Sequence, residues 1–297
     1  MMEQKPFRGV LPVLVTPLNE DETVDEAALR KLVRRIVQAG AHGIVVLGSA
    51  GEFAALCDAQ KERAIAIVVD EVAGRVPVIV GTGEPGTRRA VETTRRAQAL
   101  GADGALVVPP YYYRPTEEAI IRHYRTVAAE GGLPLLLYHI PFFTKVELTL
   151  DVVRVLAEES GIVGIKDSGG NLGYFQRLVQ SVGSDSFTVV TGSDSLFFAT
   201  LVAGGDGCIS PGANVAPDWF VALWDAMRAG CWKEGWEMQQ RIQALHAGIG
   251  YGTFPAGIKG ALSLLGIAPR TMAAPSVPVT EAQLAEIERT LREFGLL

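Results

Sequence analysis

Short apolar runs recur along the chain, each ending on a small or polar residue and each followed by a stretch with helical spacing. The runs cover residues 10–16, 43–47, 76–80, 104–108, 133–138, 162–166, 187–191 and 207–210. None alternates apolar with polar positions, as a strand with one wet face would. They read as strands of a parallel sheet covered on both faces. Between them, helical spacing runs over residues 25–38, 58–72, 86–100, 116–130, 149–159, 171–182 and 194–203, with Asp25 placed to cap the first helix and Gly40 to close it. Strand alternating with helix means βαβ units, and eight such strands predict an α/β fold of the (β/α)8 TIM-barrel type. A doubly wound open sheet is the alternative. It lacks the Gly-x-Gly-x-x-Gly turn after the first strand, and Gly81-Thr-Gly-Glu-Pro-Gly86, which has that spacing, follows the third.

Beyond Pro217 the strand signals stop. Helical patterns cover 219–229, 233–247, 255–264 and 280–294, the last opened by a capping box of Thr280 and Gln283. The expected organisation is a barrel over 1–225 that carries the active site. A helical C-terminal extension over 226–297 packs on it as part of one structural unit. Trp219, Trp224, Trp232 and Trp236 all fall in this region. They suit helix packing or, since aromatics are enriched at interfaces, an oligomer contact.

Composition removes several function classes. With 27 Lys and Arg against 33 Asp and Glu, the net charge is −6, which opposes nucleic acid as the main partner. No apolar run reaches the roughly 18 residues of a membrane span, and the opening residues lack the apolar core of a signal peptide. Cys57, Cys208 and Cys231 are scattered and odd in number, which fits reduced thiols in a cytoplasmic protein. The four histidines are isolated, so no protein-built metal site is expected.

In a barrel of this kind the active site lies at the C-terminal ends of the strands. The polar residues ending the apolar runs are Thr16, Ser49, Thr82, Tyr111 and Tyr112, Tyr138, Lys166, Thr191 and Ser210, and only Lys166 carries a formal charge. A strand-end lysine can simply snorkel to water. If Ile162, Gly164 and Lys166 share the interior face, however, the ammonium has no partner in its own strand, and Gly164 leaves room for its stem. Desolvation without a counter-ion makes a lysine a nucleophile. Tyr138 ends the preceding strand, where its phenol can carry protons. Gly48-Ser-Ala-Gly51 offers a hydroxyl and free backbone N–H groups to a carboxylate. Each has an ordinary structural reading, Tyr138 as core and Ser49 as a turn former. Together they point to Schiff-base chemistry on a 2-oxo acid.

The sequence resembles the dihydrodipicolinate synthase / N-acetylneuraminate lyase family of class I pyruvate-dependent aldolases. The likeness runs over essentially the whole chain and rests on Gly48-Ser-Ala-Gly-Glu52, Pro110-Tyr-Tyr-Tyr-Arg-Pro115, Tyr138-His-Ile-Pro141 and Gly164-Ile-Lys-Asp-Ser-Gly-Gly-Asn171. The resemblance implies that Lys166 forms the imine with the pyruvate keto carbon and that Tyr138 is the proton carrier. It implies a relay through Ser49, completed by Tyr112 from a neighbouring subunit of a homotetramer. It also places Ser49, Ala50, Gly192 and Ile209 around the pyruvate. No metal or other cofactor is implied beyond the covalent lysine imine.

Two positions depart from the family pattern. Ala50 replaces a hydroxyl that many relatives carry. Phe143 stands where dihydrodipicolinate synthases place an arginine for the second substrate's carboxylate, a bidentate grip phenylalanine cannot offer. Lys145 is close enough in sequence to supply a replacement charge. The expectation is therefore a lyase or dehydratase acting on a 2-keto-3-deoxy sugar acid or 4-hydroxy-2-oxoglutarate. The alternatives are a 4-hydroxy-tetrahydrodipicolinate synthase, a non-catalytic barrel that binds 2-oxo acids, and a phosphate-binding barrel isomerase. The partners expected are a small 2-oxo acid and an aldehyde.

Overall fold

Eight parallel strands in the order β1-β8-β7-β6-β5-β4-β3-β2 form the centre of the molecule. The structure is a computed structural model that describes residues 7–297. The strands are β1 Gly9–Val10, β2 Ile44–Val46, β3 Val78–Gly81, β4 Gly104–Val107, β5 Leu135–His139, β6 Ile162–Asp167, β7 Thr188–Thr191 and β8 Gly207–Cys208. The sheet closes on itself through a parallel bridge between Val13 and Val45. There the Leu14 N–H donates to the Val45 carbonyl at 2.8 Å and the Val45 N–H to the Pro12 carbonyl at 2.9 Å. The first apolar run, expected as a strand over 10–16, is regular only at Gly9–Val10, because Pro12 brings no N–H to the ladder.

Helices cover the outside: α1 Glu26–Gln38, α2 Asp58–Val72, α3 Thr87–Ala99, α4 Glu117–Gly131, α5 Pro141–Thr144, α6 Leu150–Ala157, α7 Leu172–Val182 and α8 Phe197–Val202. Asp25 does cap α1, accepting the Ala28 N–H at 3.0 Å. Strand side chains divide by parity. Leu135 and Leu137 pack outward with the helices, while Leu136 and Tyr138 join Leu11, Val13, Val45, Ile79, Leu106, Val190 and Ile209 inside the barrel.

One irregularity positions the site. The β5–β6 register shifts between Leu135 and Leu136, so Leu135 pairs with Ile162 but Leu136 pairs with Gly164. The bulge turns Ile162 to the outer core and packs Val163 against the inner one, contrary to the face that simple alternation assigns to Ile162. Beyond it, Lys166 pairs with Tyr138 and shares its inward parity.

After β8 come α9 Pro217–Arg228, α10 Trp232–Gly248, α11 Ala256–Leu264 and α12 Glu281–Glu293. Residue 225 lies inside α9. The capping box of Thr280 and Gln283 opens α12 as expected. Trp219 and Trp224 are buried, whereas Trp232 and Trp236 are about half exposed and flank Phe198. Among the described residues no helix is long and apolar enough to cross a membrane.

Candidate active site

The polar strand ends separate into two groups once their partners are known. Thr16 donates to the Gly51 carbonyl at 2.8 Å, Thr82 pairs with Thr94 at 2.9 Å, Thr191 accepts the Ser193 N–H at 3.1 Å, and Ser210 donates to Asp194 at 2.7 Å. These four hold loops in place. Ser49, Tyr111, Tyr138 and Lys166 remain for a ligand.

Lys166 is 2% exposed. Its ammonium rests 4.0 Å from the centroid of the Tyr138 ring, a cation–π contact that is stronger when water is excluded. Among the described residues no carboxylate forms an ion pair with it. Its neighbour Asp167 turns the other way and pairs with His139. Tyr138 Oη stands 3.5 Å from Ser49 Oγ. Burial pushes the Tyr138 phenol up, but the Lys166 charge and hydrogen bonds with Ser49, Lys166 and Ser168 outweigh it and bring the phenol below its ordinary value. A phenol shifted that way gives and takes protons more readily near neutrality.

Glycines shape the lysine's surroundings, though not the one the sequence suggests. A Cβ on Gly164 would meet the Thr188 carbonyl oxygen at 2.4 Å and Leu136 at 2.8 Å, so that glycine admits the adjoining strand rather than the lysine stem. Gly192 is the one against the stem: its Cβ would lie 2.6 Å from Lys166 Cε and 1.9 Å from Ser168 Oγ. Ile209 is buried beside them in the inner core, its N–H bonded to the Thr191 carbonyl at 2.8 Å.

The carboxylate loop is a 3-10 turn, Ser49–Gly51, whose leading N–H groups have no partner within the turn. Leu47 and Glu52 on either side both have positive φ, 60° and 58°, and so do Tyr112 and Lys145 at 78° and 57°. Left-handed backbone at non-glycine residues persists where surrounding structure over-determines it, often at functional sites.

A cavity of about 330 Å³ opens beside Ser49 and Tyr138. Its outer wall is apolar, built from Phe53, Val108, Ile140, Phe143 and Phe254, and the Phe143 and Phe254 rings lie 6.1 Å apart. Tyr111 is on the wall, with burial and the Glu84 charge raising its phenol. Tyr112 is not on it: that ring is 87% exposed and meets Tyr113 edge to face at 4.9 Å. Lys145 also lies off the wall, with its ammonium 5.2 Å from the Phe142 ring centroid. Among the described residues no lysine or arginine side chain lines the cavity, Lys166 included.

Two neighbours were not found from sequence. Ser168 Oγ is buried and acts on the Tyr138 phenol; its position two residues beyond Lys166, just past the end of β6, is the available signal. His139 was read as isolated. It is buried between Asp167, at 2.7 Å from Nδ1, and Glu147, at 2.8 Å from Nε2. Burial lowers its pKa, but the two carboxylates outweigh that and raise it.

The chain is similar to known proteins over nearly its whole length. The sequence pattern of the Dihydrodipicolinate synthetase family matches residues 6–294. The chain is 39% identical over 293 residues to a 4-hydroxy-tetrahydrodipicolinate synthase from Phenylobacterium zucineum, covering 98% of each chain. Its fold superposes on the dihydrodipicolinate synthase of Thermotoga maritima with a TM-score of 0.94 at 32% identity, covering 98% of this chain and 99% of that one. A prophage protein of the dihydrodipicolinic acid synthase family from E. coli K12, solved in complex with pyruvate, gives a TM-score of 0.95 at 32% identity, covering 98% of this chain and all 100% of that one.

Proposed function

The chain belongs to the dihydrodipicolinate synthetase family, a lyase family of the lysine–imine class, and from that premise we propose that it is a 4-hydroxy-tetrahydrodipicolinate synthase that joins pyruvate to an aldehyde through Lys166. The observation that carries the chemistry is the Lys166 ammonium, buried, without an ion pair and resting on Tyr138. The relatives' names support this synthase reading over the sugar-acid or hydroxy-oxoglutarate one that the sequence alone favoured.

In the proposed cycle pyruvate's carboxylate sits on the Ser49 hydroxyl and the Ala50 N–H, with Gly192 and Ile209 against its other side. Lys166 moves off the Tyr138 ring as a free amine, attacks the keto carbon, and water leaves to give the imine. Tyr138 takes a proton from the methyl carbon, forming an enamine. That carbon attacks the aldehyde, and Tyr138 returns the proton to the new alkoxide. The amino group brought by the aspartate semialdehyde then adds to the imine carbon, and the tetrahedral adduct expels the Lys166 nitrogen as the free amine, closing the product's ring. Ser49 holds the phenol during both transfers, with Tyr112 of a second copy completing the relay in a homotetramer. No step calls on a metal or other cofactor. A cytoplasmic location fits the reduced cysteines.

Phe143 favours a second reading. With apolar residues on the cavity wall and no lysine or arginine there among the described residues, an aldehyde lacking a far carboxylate would leave no charge unpaired. Parallel assays decide between them. Pyruvate consumption with aspartate semialdehyde is expected to exceed that with aldehydes lacking the carboxylate, and also the rate of pyruvate release from keto-deoxy sugar acids. The reverse ranking would overturn the synthase assignment. Binding of pyruvate with no turnover on any aldehyde would leave only a 2-oxo-acid-binding barrel.

A further inference from the structure

A second lysine is buried more completely than Lys166 and has no place in the cycle above. Lys259, in α11, is 0% exposed. Its ammonium pairs with Oε1 of Glu52 and donates to the Thr271 carbonyl at 2.7 Å. The other Glu52 oxygen accepts the Ala273 N–H at 2.8 Å. One carboxylate thereby joins the end of the Ser49–Gly51 turn to two segments of the C-terminal region. Those segments lead straight to the cavity: Phe254 precedes α11 by two residues, Ser276 follows Ala273 by three, and both are on the cavity wall.

Packing alone does not require this pair. A buried ion pair gains little stability over an apolar pair of similar volume, and the surrounding core is apolar. What the charges add is direction. The Ser49 loop is bracketed by left-handed backbone at Leu47 and Glu52. Its first end is fixed by the third strand, where a Cβ on Gly81 would fall 1.9 Å from the Leu47 carbonyl oxygen. Its middle is tied by Thr16 to the Gly51 carbonyl. Its last end has Lys259.

We propose that Glu52 and Lys259 form a positioning pair that sets the Ser49 hydroxyl and the Ala50 N–H for the pyruvate carboxylate and couples that cradle to the C-terminal wall of the cavity. The inference rests on the pyruvate-binding half of the proposed function, not on the identity of the aldehyde. Glu52 borders the cavity, but its two carboxylate oxygens are taken by Lys259 and the Ala273 N–H, so the pair acts through the loop, and its loss weakens pyruvate capture without disabling the chemistry that follows.

The test compares wild type, Glu52→Gln, Lys259→Met and the uncharged double variant. It reads thermal unfolding, kcat, and the pyruvate concentration giving half-maximal borohydride trapping. Each single variant strands a buried polar or charged group and melts early. The double variant is expected to melt near wild type and to need about tenfold more pyruvate, with kcat at saturation within about threefold, the pattern of lost ground-state binding. Wild-type half-saturation in the folded double variant, or a loss confined to kcat, overturns the proposal. If the double variant does not fold, Glu52→Asp, which keeps the charge and shortens the reach, is read by the same criterion. Absence of trapping in wild type would instead sink the imine mechanism, and this inference with it.

Discussion

The barrel mouth and the C-terminal region each bury a lysine, and the two are treated oppositely. Lys166 ends a strand, faces the barrel interior, and has an aromatic ring and hydroxyls for neighbours. Lys259 lies within a helix with a carboxylate and a carbonyl on its ammonium. At Lys259 burial lowers the pKa, Glu52 opposes that and the net shift is downward, while the Glu52 carboxylate and the Thr271 carbonyl hold the nitrogen in place as a strut. At Lys166 no carboxylate among the described residues holds the nitrogen, which rests on the Tyr138 ring and is left free to reach a carbonyl carbon. Burial is common to both; the counter-ion separates nucleophile from strut.

Replacing each lysine by methionine breaks the comparison most sharply. Lys166→Met is expected to abolish turnover while leaving thermal stability at or above wild type, because no buried carboxylate loses its partner. Lys259→Met is expected to cost about 3–5 kcal/mol of stability, since Glu52 is left buried and unpaired. Equal destabilisation in denaturant titrations of the two variants would contradict the distinction.

Tyr138→Phe comes next. Removing the phenolic proton carrier is expected to lower kcat about 10²–10⁴-fold while a pyruvate imine still forms. Steady-state rates near wild type would show that the proton travels elsewhere.

The smallest effect concerns His139, behind the Tyr138–Lys166 pair. Burial lowers its pKa, the hydrogen bonds and charges of Asp167 and Glu147 raise it by more, and the net shift is upward. The folded state therefore holds the proton more tightly than the unfolded chain. The resulting stability is complete below the unfolded histidine value of about 6.5 and is lost as pH rises through the raised folded value. Tyr174 packs on the imidazole at 4.8 Å with its own phenol pushed above its usual range by burial and the same carboxylates, so it stays neutral through that window. Melting temperature against pH should fall more steeply for wild type than for His139→Asn. Parallel curves would remove the imidazolium from the account.

What the sequence reveals follows the range of each signal. The apolar runs, the Asp25 cap and the Thr280 capping box are local; the structure has both caps where the pattern puts them and a strand at each run, shortened at the first to Gly9–Val10 and at the last to Gly207–Cys208. The facing of Tyr138 and Lys166 was legible because strand parity and strand order suffice. The β6 bulge was not, since the extra residue shows only in register with Leu135 and Leu136. The four-residue helix α5, Pro141–Thr144, is too short to show a period. Lys259 and Glu52 are 207 positions apart in sequence, and nothing around Ile258-Lys-Gly260 announces a partner. His139 likewise gave no sign of Asp167 and Glu147, which meet it only after β5 and β6 pair.

Borohydride reduction in the presence of pyruvate, followed by peptide mapping, tests the contrast between the two lysines most directly. The account predicts a pyruvate-derived mass on the peptide carrying Lys166 and none on the peptide carrying Lys259. An adduct on Lys259, or an unmodified Lys166 at saturating pyruvate, would contradict it.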